Sequence, residues 1–150
     1  MSDLEFIDFQ PITNISDGTV FFSLTYDEMN KKLIADANSN HGRQLVEIDL
    51  ETGHLAIKTI VGWDSRNPEM QNGSLIYAQD KSGIFNLVKK DGEGIHYLTN
   101  VTGGAFMPDE SDEGEILYSL YENGAYKIAL LENTMPIADK MVGYEVDYYT

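Results

Sequence analysis

The residues of this chain best suited to bind a metal ion are its three histidines, His41, His54 and His96. Imidazole is a common metal ligand and titrates near neutral pH. His54 and His96 lie 42 residues apart and begin the last strand of two successive repeats, so one interpretation is a pair of ligands. Equivalent positions on neighbouring repeats are well separated and face solvent. We therefore predict surface histidines, no metal site and no cofactor.

A nucleophilic catalyst of the Ser-His-Asp type needs a serine held against a base that is itself oriented by a third group. The sequence has no Gly-x-Ser-x-Gly elbow and no strand–turn–helix pattern that would display one. It also contains no cysteine, which excludes thiolate chemistry and disulfides. The sequence thus predicts no catalytic residues and a protein that is not an enzyme.

Two segments match ligand-binding loops only in part. The acidic stretch 109–115 has Gly114 at the sixth position of a calcium loop, but Leu120 occupies the twelfth, where an EF-hand needs a bidentate glutamate. Gly103-Gly104 lacks the lysine and the helix of a phosphate cradle. We interpret the first segment as a solvated turn, with weak calcium binding as the alternative, and the second as a flexible entry to a strand.

Net charge restricts the partners of the protein. Of its 150 residues, 25 are acidic and 10 are basic, which gives a formal charge of −15. This charge repels nucleic acid and anionic lipid, and it favours solubility, a basic partner or a cation. No apolar run approaches the length of a membrane span, so we expect no membrane insertion. The first five residues do not resemble a secretory signal, which by default indicates the cytoplasm, or an exported location for an excised segment.

The strongest pattern in the sequence is a repeat of 41 residues, marked by Gly42, Gly83 and Gly124. An apolar run precedes each glycine and a second run follows it. Periods of this length are typical of propellers and solenoids, whose units bury their apolar faces only when they are stacked. The sequence therefore predicts an array of small units.

The segments between turns are short, rich in β-branched and aromatic residues, and separated by Asn-Gly, Asp-Gly and similar pairs that favour tight hairpins. No segment has the apolar spacing of an amphipathic helix. We predict antiparallel strands at Thr19–Leu24, Lys32–Ala37, Gln44–Asp49, His54–Ile60, Val61–Arg66, Ser74–Gln79, Phe85–Lys90, Gly94–Thr99, Ala105–Met107, Glu115–Tyr121 and Tyr126–Glu132.

Four strands per repeat indicate an all-β fold, a β-propeller segment of three four-stranded antiparallel blades. Residues 9–14 resemble residues 95–100 at the end of the second repeat, so the chain opens with the outermost strand of a preceding blade. Propellers usually have four to eight blades. We therefore expect closure either by a homodimer of three plus three blades or within a longer chain. The predicted units are 1–14 (closing strand), 15–60, 61–100 and 101–134 (blades 1 to 3) and 135–150 (a tail, competing closing strand or linker).

The repeats resemble the blades of TolB-like propellers, which also occur in tricorn and prolyl oligopeptidase-type peptidases. In that family Pro-x-Trp-Ser-Pro-Asp-Gly precedes an apolar strand, and the segments Pro68–Tyr77 and Pro108–Tyr118 look like this motif. Residues 91–99 are similar to the closing hairpin of the family, and residues 49–53 to the same turn. The resemblance covers about residues 9–132. It implies a binding scaffold or a gating domain, without catalytic residues in the blades.

Loops that join outer to inner strands line the mouth of a propeller channel, and here these are residues 14–18, 61–67 and 100–106. Tryptophan and arginine are frequent binding hot spots, although Trp63 is also suited to packing between blades. We predict a non-catalytic binding module for a protein or peptide. The alternatives are a gating fragment of a multidomain peptidase and an engineered or truncated self-assembling piece. The candidate binding residues are Trp63, Arg66, Phe106, Asn14 and Asn100.

Overall fold

A computed structural model describes residues 8–59, 62–138 and 142 of the chain. These residues form strands and turns, and none of them belongs to a helix that is able to cross a membrane. The strands are β1 Val20–Asp27, β2 Lys32–Ser39, β3 Gly42–Asp49, β4 Leu55–Ile57, β5 Ser65–Gln71, β6 Ser74–Gln79, β7 Asn86–Asp91, β8 Gly94–Tyr97, β9 Gly104–Glu110, β10 Ile116–Glu122 and β11 Ala125–Leu131.

The strands form three antiparallel meanders, one for each repeat. Sheet 1 has the order β1-β2-β3-β4, sheet 2 the order β5-β6-β7-β8, and sheet 3 the order β11-β10-β9. The predicted all-β class and propeller-like blade architecture are confirmed. In the described part of the chain the third sheet has three strands. This is the number of strands that the sequence predicted within the third repeat.

The glycines that mark the period lie where the second and third strands of each sheet are joined: Gly83 and Gly124 in the turn, and Gly42 at the first position of β3. Gly42, Gly83 and Gly124 have φ angles of +85°, +91° and +76°. Positive φ is strained for residues with a Cβ atom, so these hairpins favour glycine. The 41-residue period is therefore the spacing of one backbone requirement that recurs in each sheet.

The innermost strands extend further than the sequence predicted. Pro68 lies within β5 and Pro108 within β9, so neither begins a loop. The predicted loops 61–67 and 100–106 run in part into these strands, and Asp109 and Glu110 belong to β9 rather than to an acidic turn. Proline is compatible with these positions because β5 and β9 each contain a bulge there, where ladder hydrogen bonding is interrupted.

Apolar side chains join neighbouring sheets. Between sheets 1 and 2, Ile34 and Leu45 pack with Tyr77 and Val88. Between sheets 2 and 3, the fully buried residues include Ile76, Leu87, Ala105 and Ile116. Neighbouring sheets thus bury apolar faces against each other, as expected for a repeat array.

The fourth strands of sheets 1 and 2 end in the same threonine contact. In sheet 2 the Thr99 hydroxyl accepts a hydrogen bond from the Leu87 N–H (2.9 Å) and donates one to Asn86 Oδ1 (2.9 Å). In sheet 1 the Thr59 hydroxyl accepts a hydrogen bond from the Leu45 N–H (3.0 Å) and donates one to Gln44 Oε1 (2.6 Å). This threonine clamp holds the end of the fourth strand against the third.

Sheet 3 lacks this fourth strand among the described residues. After β11 the chain returns to sheet 2, where the Ile137 N–H donates to the Tyr97 carbonyl (2.8 Å) at the outer edge of β8. The rest of the predicted tail, apart from Val142, lies outside the described residues from position 139 onward. The visible part of the tail therefore adds to sheet 2 and leaves β11 as an edge strand.

Residues 8–19 form no strand within the single chain, and residues 1–7 of the predicted closing strand lie outside the described part. Ile12 is held against the β3–β4 turn of sheet 1. A Cβ atom on Gly53 would come within 2.1 Å of the Ile12 carbonyl oxygen. The N-terminal segment thus lies beside the first sheet, and its role as a closing strand stays a prediction.

Replacing Thr99 by valine tests the threonine clamp. The variant keeps the shape of the side chain but leaves the buried Leu87 N–H without its acceptor, and it removes one of the two donors to Asn86 Oδ1, which keeps the Val101 N–H. We expect a loss of about 2 kcal/mol in the free energy of unfolding, measured by urea denaturation. Thr102→Val, at an exposed position, is the control. Equal stability of the two variants would contradict the clamp.

Candidate functional site

The first strands of the three sheets, β1, β5 and β9, lie side by side and form what we call the inner edge. Each has a two-residue bulge, at residues 22–23, 67–68 and 107–108. A bulge leaves backbone N–H groups outside the ladder of its own sheet. At the inner edge these free donors connect one sheet to the next.

Asp36 accepts the donors of the first two bulges. Its side chain is fully buried. One carboxylate oxygen accepts the Ser23 N–H of sheet 1 (2.7 Å), and the other accepts the Asn67 N–H of sheet 2 (3.0 Å). The Arg43 guanidinium also donates to it, at 2.8 Å. The carboxylate is thus compensated by one cation and two backbone donors, which a buried charge requires.

Asn67 passes the connection on to sheet 3. While its N–H is held by Asp36, its side-chain oxygen accepts the Met107 N–H at 3.3 Å. Asn67 and Met107 both have positive φ angles, +54° and +50°, and both precede a proline, which normally favours extended backbone. Such strained conformations persist only where the surroundings impose them. The three bulges are therefore fixed relative to one another.

The only two arginines in the sequence meet at this edge. Asp64 joins them, accepting the Arg43 backbone N–H (3.3 Å) on one oxygen and the Arg66 guanidinium (3.0 Å) on the other. Each guanidinium also covers an aromatic ring: Arg43 lies 3.9 Å from the centre of Phe22, and Arg66 lies 4.6 Å from the centre of Phe85. Both are cation–π contacts.

Arg66 begins a row of stacked side chains that crosses from sheet 2 to sheet 3. The rings of Phe85 and Phe106 are 5.1 Å apart, and Phe106 is 6.4 Å from Tyr126. We call Arg66, Phe85 and Phe106 the Arg–Phe stack. All three side chains are partly exposed, so the stack offers flat apolar surface and a cation to a ligand.

Gly103 and Gly104 make close contacts, the first with Tyr121 and the second with the Phe106 ring of this stack. A Cβ atom on Gly103 would lie 1.9 Å from the Tyr121 carbonyl oxygen, and one on Gly104 would lie 2.6 Å from the Phe106 ring. The chain passes too close to its neighbours for a side chain at either position. Gly104 therefore allows the Phe106 ring to lie where it does, and Gly103 allows the backbone to pass close to β10.

Trp63, another predicted binding residue, lies by a different surface. Its ring is 41% exposed and lines a cavity of about 180 Å³ between sheets 1 and 2. Lys58, Lys81 and Lys90 also line this cavity, together with the buried ring of Tyr77, whose pKa burial raises to about 12. Trp63 therefore belongs to a basic cleft, whereas Arg66 and Phe106 belong to the inner edge.

The remaining predicted residues are dispersed. Asn14 follows Thr13, whose backbone lies against Gly53 at the outer turn of sheet 1, and Asn100 is exposed in the loop between β8 and β9. Of the histidines, His96 lies 3.5 Å from Asp91, while His41 and His54 are exposed in or beside turns. Among residues 8–59, 62–138 and 142, no group of three or more metal-ligating side chains comes together.

Sequence reasoning missed Asp36, Arg43, Asn67 and Phe85. Asp36 and Phe85 lie in the predicted strands Lys32–Ala37 and Phe85–Lys90. In a strand a polar residue is expected to face solvent and an aromatic residue to pack in the core, so neither was selected. One available signal was the arginine count, because two arginines in a strongly acidic chain suggest specific partners. The other was the Asn67-Pro68 dipeptide inside a strand, which indicates a bulge.

Acidic side chains surround the second and third bulges. Burial raises the pKa of Glu69, and the nearby carboxylates of Asp109 and Glu110 raise it further. The Lys89 ammonium group pairs with one carboxylate oxygen of Glu110 at 3.3 Å. The other carboxylate oxygen of Glu110 has no hydrogen-bond partner among the described residues. This side of the inner edge is therefore negative and is destabilised by like charge.

Comparison with protein-family models gives no match, and none of the curated proteins compared with the chain matches it. The assignment to TolB-like propellers therefore stays a prediction that rests on the blade motifs and on the propeller-like arrangement of the sheets.

Replacing Asp36 by asparagine tests the connection between the bulges. The variant removes the charge that balances Arg43 and replaces one of the two acceptor oxygens by an amide NH2 group, which faces the N–H donors bound there. We expect a loss of about 3 kcal/mol in the free energy of unfolding. Glu113→Gln, which removes one exposed acidic charge, is the control and is expected to change stability little. Urea denaturation of both variants decides the point.

The Glu69 carboxyl predicts a pH dependence. Its pKa in the folded protein is raised above the ordinary value of 4.5, so the folded state holds this proton more tightly than the unfolded state does. Stability therefore falls as the pH rises from about 4.5 to the raised pKa of the folded protein, and the full penalty remains at neutral pH. We expect Glu69→Gln to raise the melting temperature at about pH 7 and to leave it unchanged at about pH 4. A difference that is the same at both pH values would contradict this.

Proposed function

We propose that the protein is a non-catalytic module that binds a protein or peptide at its inner edge, with the Arg–Phe stack as the main contact. The observation that carries this proposal is the stack itself: the Arg66 guanidinium contacts the Phe85 ring, the Phe85 ring contacts the Phe106 ring, and all three side chains are partly exposed. Arginine and aromatic side chains are the residue types that contribute most to protein interfaces.

Two further side chains extend this surface across the inner edge. Phe22 is 54% exposed beneath Arg43, and Met107 is 61% exposed at the third bulge. Because the bulges are tied together through Asp36 and Asn67, these side chains are held in place before a ligand arrives. Preorganised contacts lose little conformational entropy on binding, which favours affinity.

Charge at the inner edge favours a neutral or basic ligand over an anion. Both guanidinium groups are already paired, Arg43 with Asp36 and Arg66 with Asp64, and Glu69, Asp109 and Glu110 lie nearby. The net charge of −15 acts in the same direction. A peptide that places an apolar or aromatic side chain on the Arg–Phe stack and a lysine or arginine towards these carboxylates fits this arrangement.

Selection from a displayed library of random peptides against the immobilised 150-residue chain tests the proposal. We expect enrichment of peptides that combine aromatic and basic residues, with affinity reduced at least tenfold by Arg66→Ala or Phe106→Ala, as for hot-spot residues. Lys127→Ala is the matched control, because Lys127 pairs with Glu122 on the exposed third sheet. Selected peptides whose affinity neither Arg66→Ala nor Phe106→Ala changes would overturn the proposed site.

A further inference from the structure

The third sheet exposes an apolar face of the kind that the other two sheets bury. On this face β10 and β11 place five large apolar side chains, which are 37–86% exposed: Leu117, Tyr121, Tyr126, Ile128 and Leu130. Monomeric proteins seldom leave such a contiguous apolar surface uncovered. The most exposed of the five is Ile128, at 86%.

Ile128 holds the position that Leu45 and Leu87 hold in sheets 1 and 2. Each begins the apolar run that follows the period-marking glycine, and each lies on the third strand of its sheet. Leu45 and Leu87 are both 0% exposed, because the next sheet covers them. Relative to these two equivalents, Ile128 is a core residue that no sheet formed by residues 8–59 and 62–138 covers.

The backbone of Ile128 is also left open in the same way. Ile128 pairs with Ser119, three residue pairs beyond the pair Glu122–Ala125 that closes the two-residue turn. Residue pairs in an antiparallel hairpin alternate between hydrogen-bonded and non-hydrogen-bonded, so Ile128 and Ser119 form a non-hydrogen-bonded pair. The Ile128 N–H and C=O therefore point away from β10. At the equivalent positions the Leu45 and Leu87 N–H groups donate to threonine hydroxyls, and their carbonyls accept the N–H groups of Lys58 and Leu98 at 2.8 Å.

The chain itself contains a segment that matches this open edge. Ile12-Thr13-Asn14 corresponds to Leu98-Thr99-Asn100, so Thr13 corresponds to the threonine of the clamp. Pro11 then corresponds to Tyr97, a position whose N–H faces away from the third strand because Tyr97 and Val88 form a non-bonded pair. Proline, which has no N–H, fits a fourth strand at that position and would not fit one residue earlier or later.

Within one chain this segment cannot reach β11. Ile12 lies against Gly53 in sheet 1, and sheet 2 stands between sheets 1 and 3. Beside the segment, the uncovered face of sheet 1 exposes Leu24 (63%) and Tyr26 (43%). The first sheet therefore carries both the matching strand segment and an apolar face, and the last sheet carries the open edge and the complementary apolar face.

We propose that the third sheet is completed by a second copy of this chain, whose residues 8–14 pair with β11 as its fourth strand. The Ile128 N–H then donates to the Thr13 hydroxyl of the other copy, and the Ile12 N–H of that copy donates to the Ile128 carbonyl. The apolar face of sheet 3 packs on sheet 1 of the other copy. Two such junctions, related by a two-fold axis, close a ring of six sheets.

Solution mass by light scattering tests this proposal on the full 150-residue chain. We expect twice the chain mass of 16.8 kDa. Ile128→Pro and Ile12→Pro each remove an N–H that the junction uses and that the single chain does not, and both are expected to give folded monomers. Ile95→Pro is the matched control and should remain a dimer, since it adds a proline to the edge strand β8 at a non-bonded pair and lies on the face that looks towards sheet 1 of the same chain, away from the junction. A folded wild-type monomer, as expected if further blades of a longer chain complete the ring, would overturn the proposal.

A mixing experiment separates this junction from other modes of association. An equimolar mixture of the Ile128→Pro and Ile12→Pro chains contains one intact junction, formed by the unchanged N-terminal segment of the first and the unchanged β11 of the second. We expect heterodimers in the mixture, whereas each variant alone is expected to form no dimers. If each variant alone forms homodimers as readily as the wild type does, the proposed strand pairing is wrong, even though the chain is dimeric.

Thr13→Val provides a milder test that does not depend on proline. Each junction loses one hydrogen bond, which is worth about fivefold in an equilibrium constant, so the dissociation constant of the dimer is expected to rise about 25-fold. An unchanged dissociation constant would exclude the hydrogen bond from the Ile128 N–H to the Thr13 hydroxyl at this junction. This outcome is independent of peptide binding at the inner edge, which is measured with Arg66→Ala.

Discussion

One buried carboxylate sets the arrangement of the inner edge. Asp36 lies on a strand of sheet 1, yet two of its three partners are the backbone of the first bulge and the backbone of the second. Its charge is balanced only if Arg43 reaches it, and Arg43 is in turn placed over Phe22. Because a buried charge without partners is costly, the positions of β1, β3 and β5 are tied to a single oxygen pair.

The sequence was sufficient for the features that depend on local chemistry. The turn glycines, the β-rich segments and the repeat predicted strands and sheets close to those observed, and β6 has the predicted bounds, Ser74–Gln79. Features that depend on contacts between repeats were missed. Nothing near Asp36 in the sequence indicates that its partners are Ser23 and Asn67, 13 and 31 residues away.

The candidate site shows the same division. Arg66 and Phe106 were chosen for residue type and position, and the structure brings them together through Phe85, whose role depends on a contact between sheets. Trp63 was chosen on the same grounds but lies at a separate cleft. Residue type thus identified candidates, whereas the bulges decided which of them share a surface, and bulges leave only a weak trace in the sequence.

The bridge between Ile137 and Tyr97 has a consequence for the order in which the protein forms during translation. The two residues are 40 positions apart, and all of sheet 3 lies between them. While the ribosome is still making that sheet, the outer edge of β8 is complete but uncovered, and an uncovered edge is able to pair with other nascent chains. The segment that contains Ile137 is thus made late, and it covers the outer edge of the second sheet only after the third sheet has been synthesised.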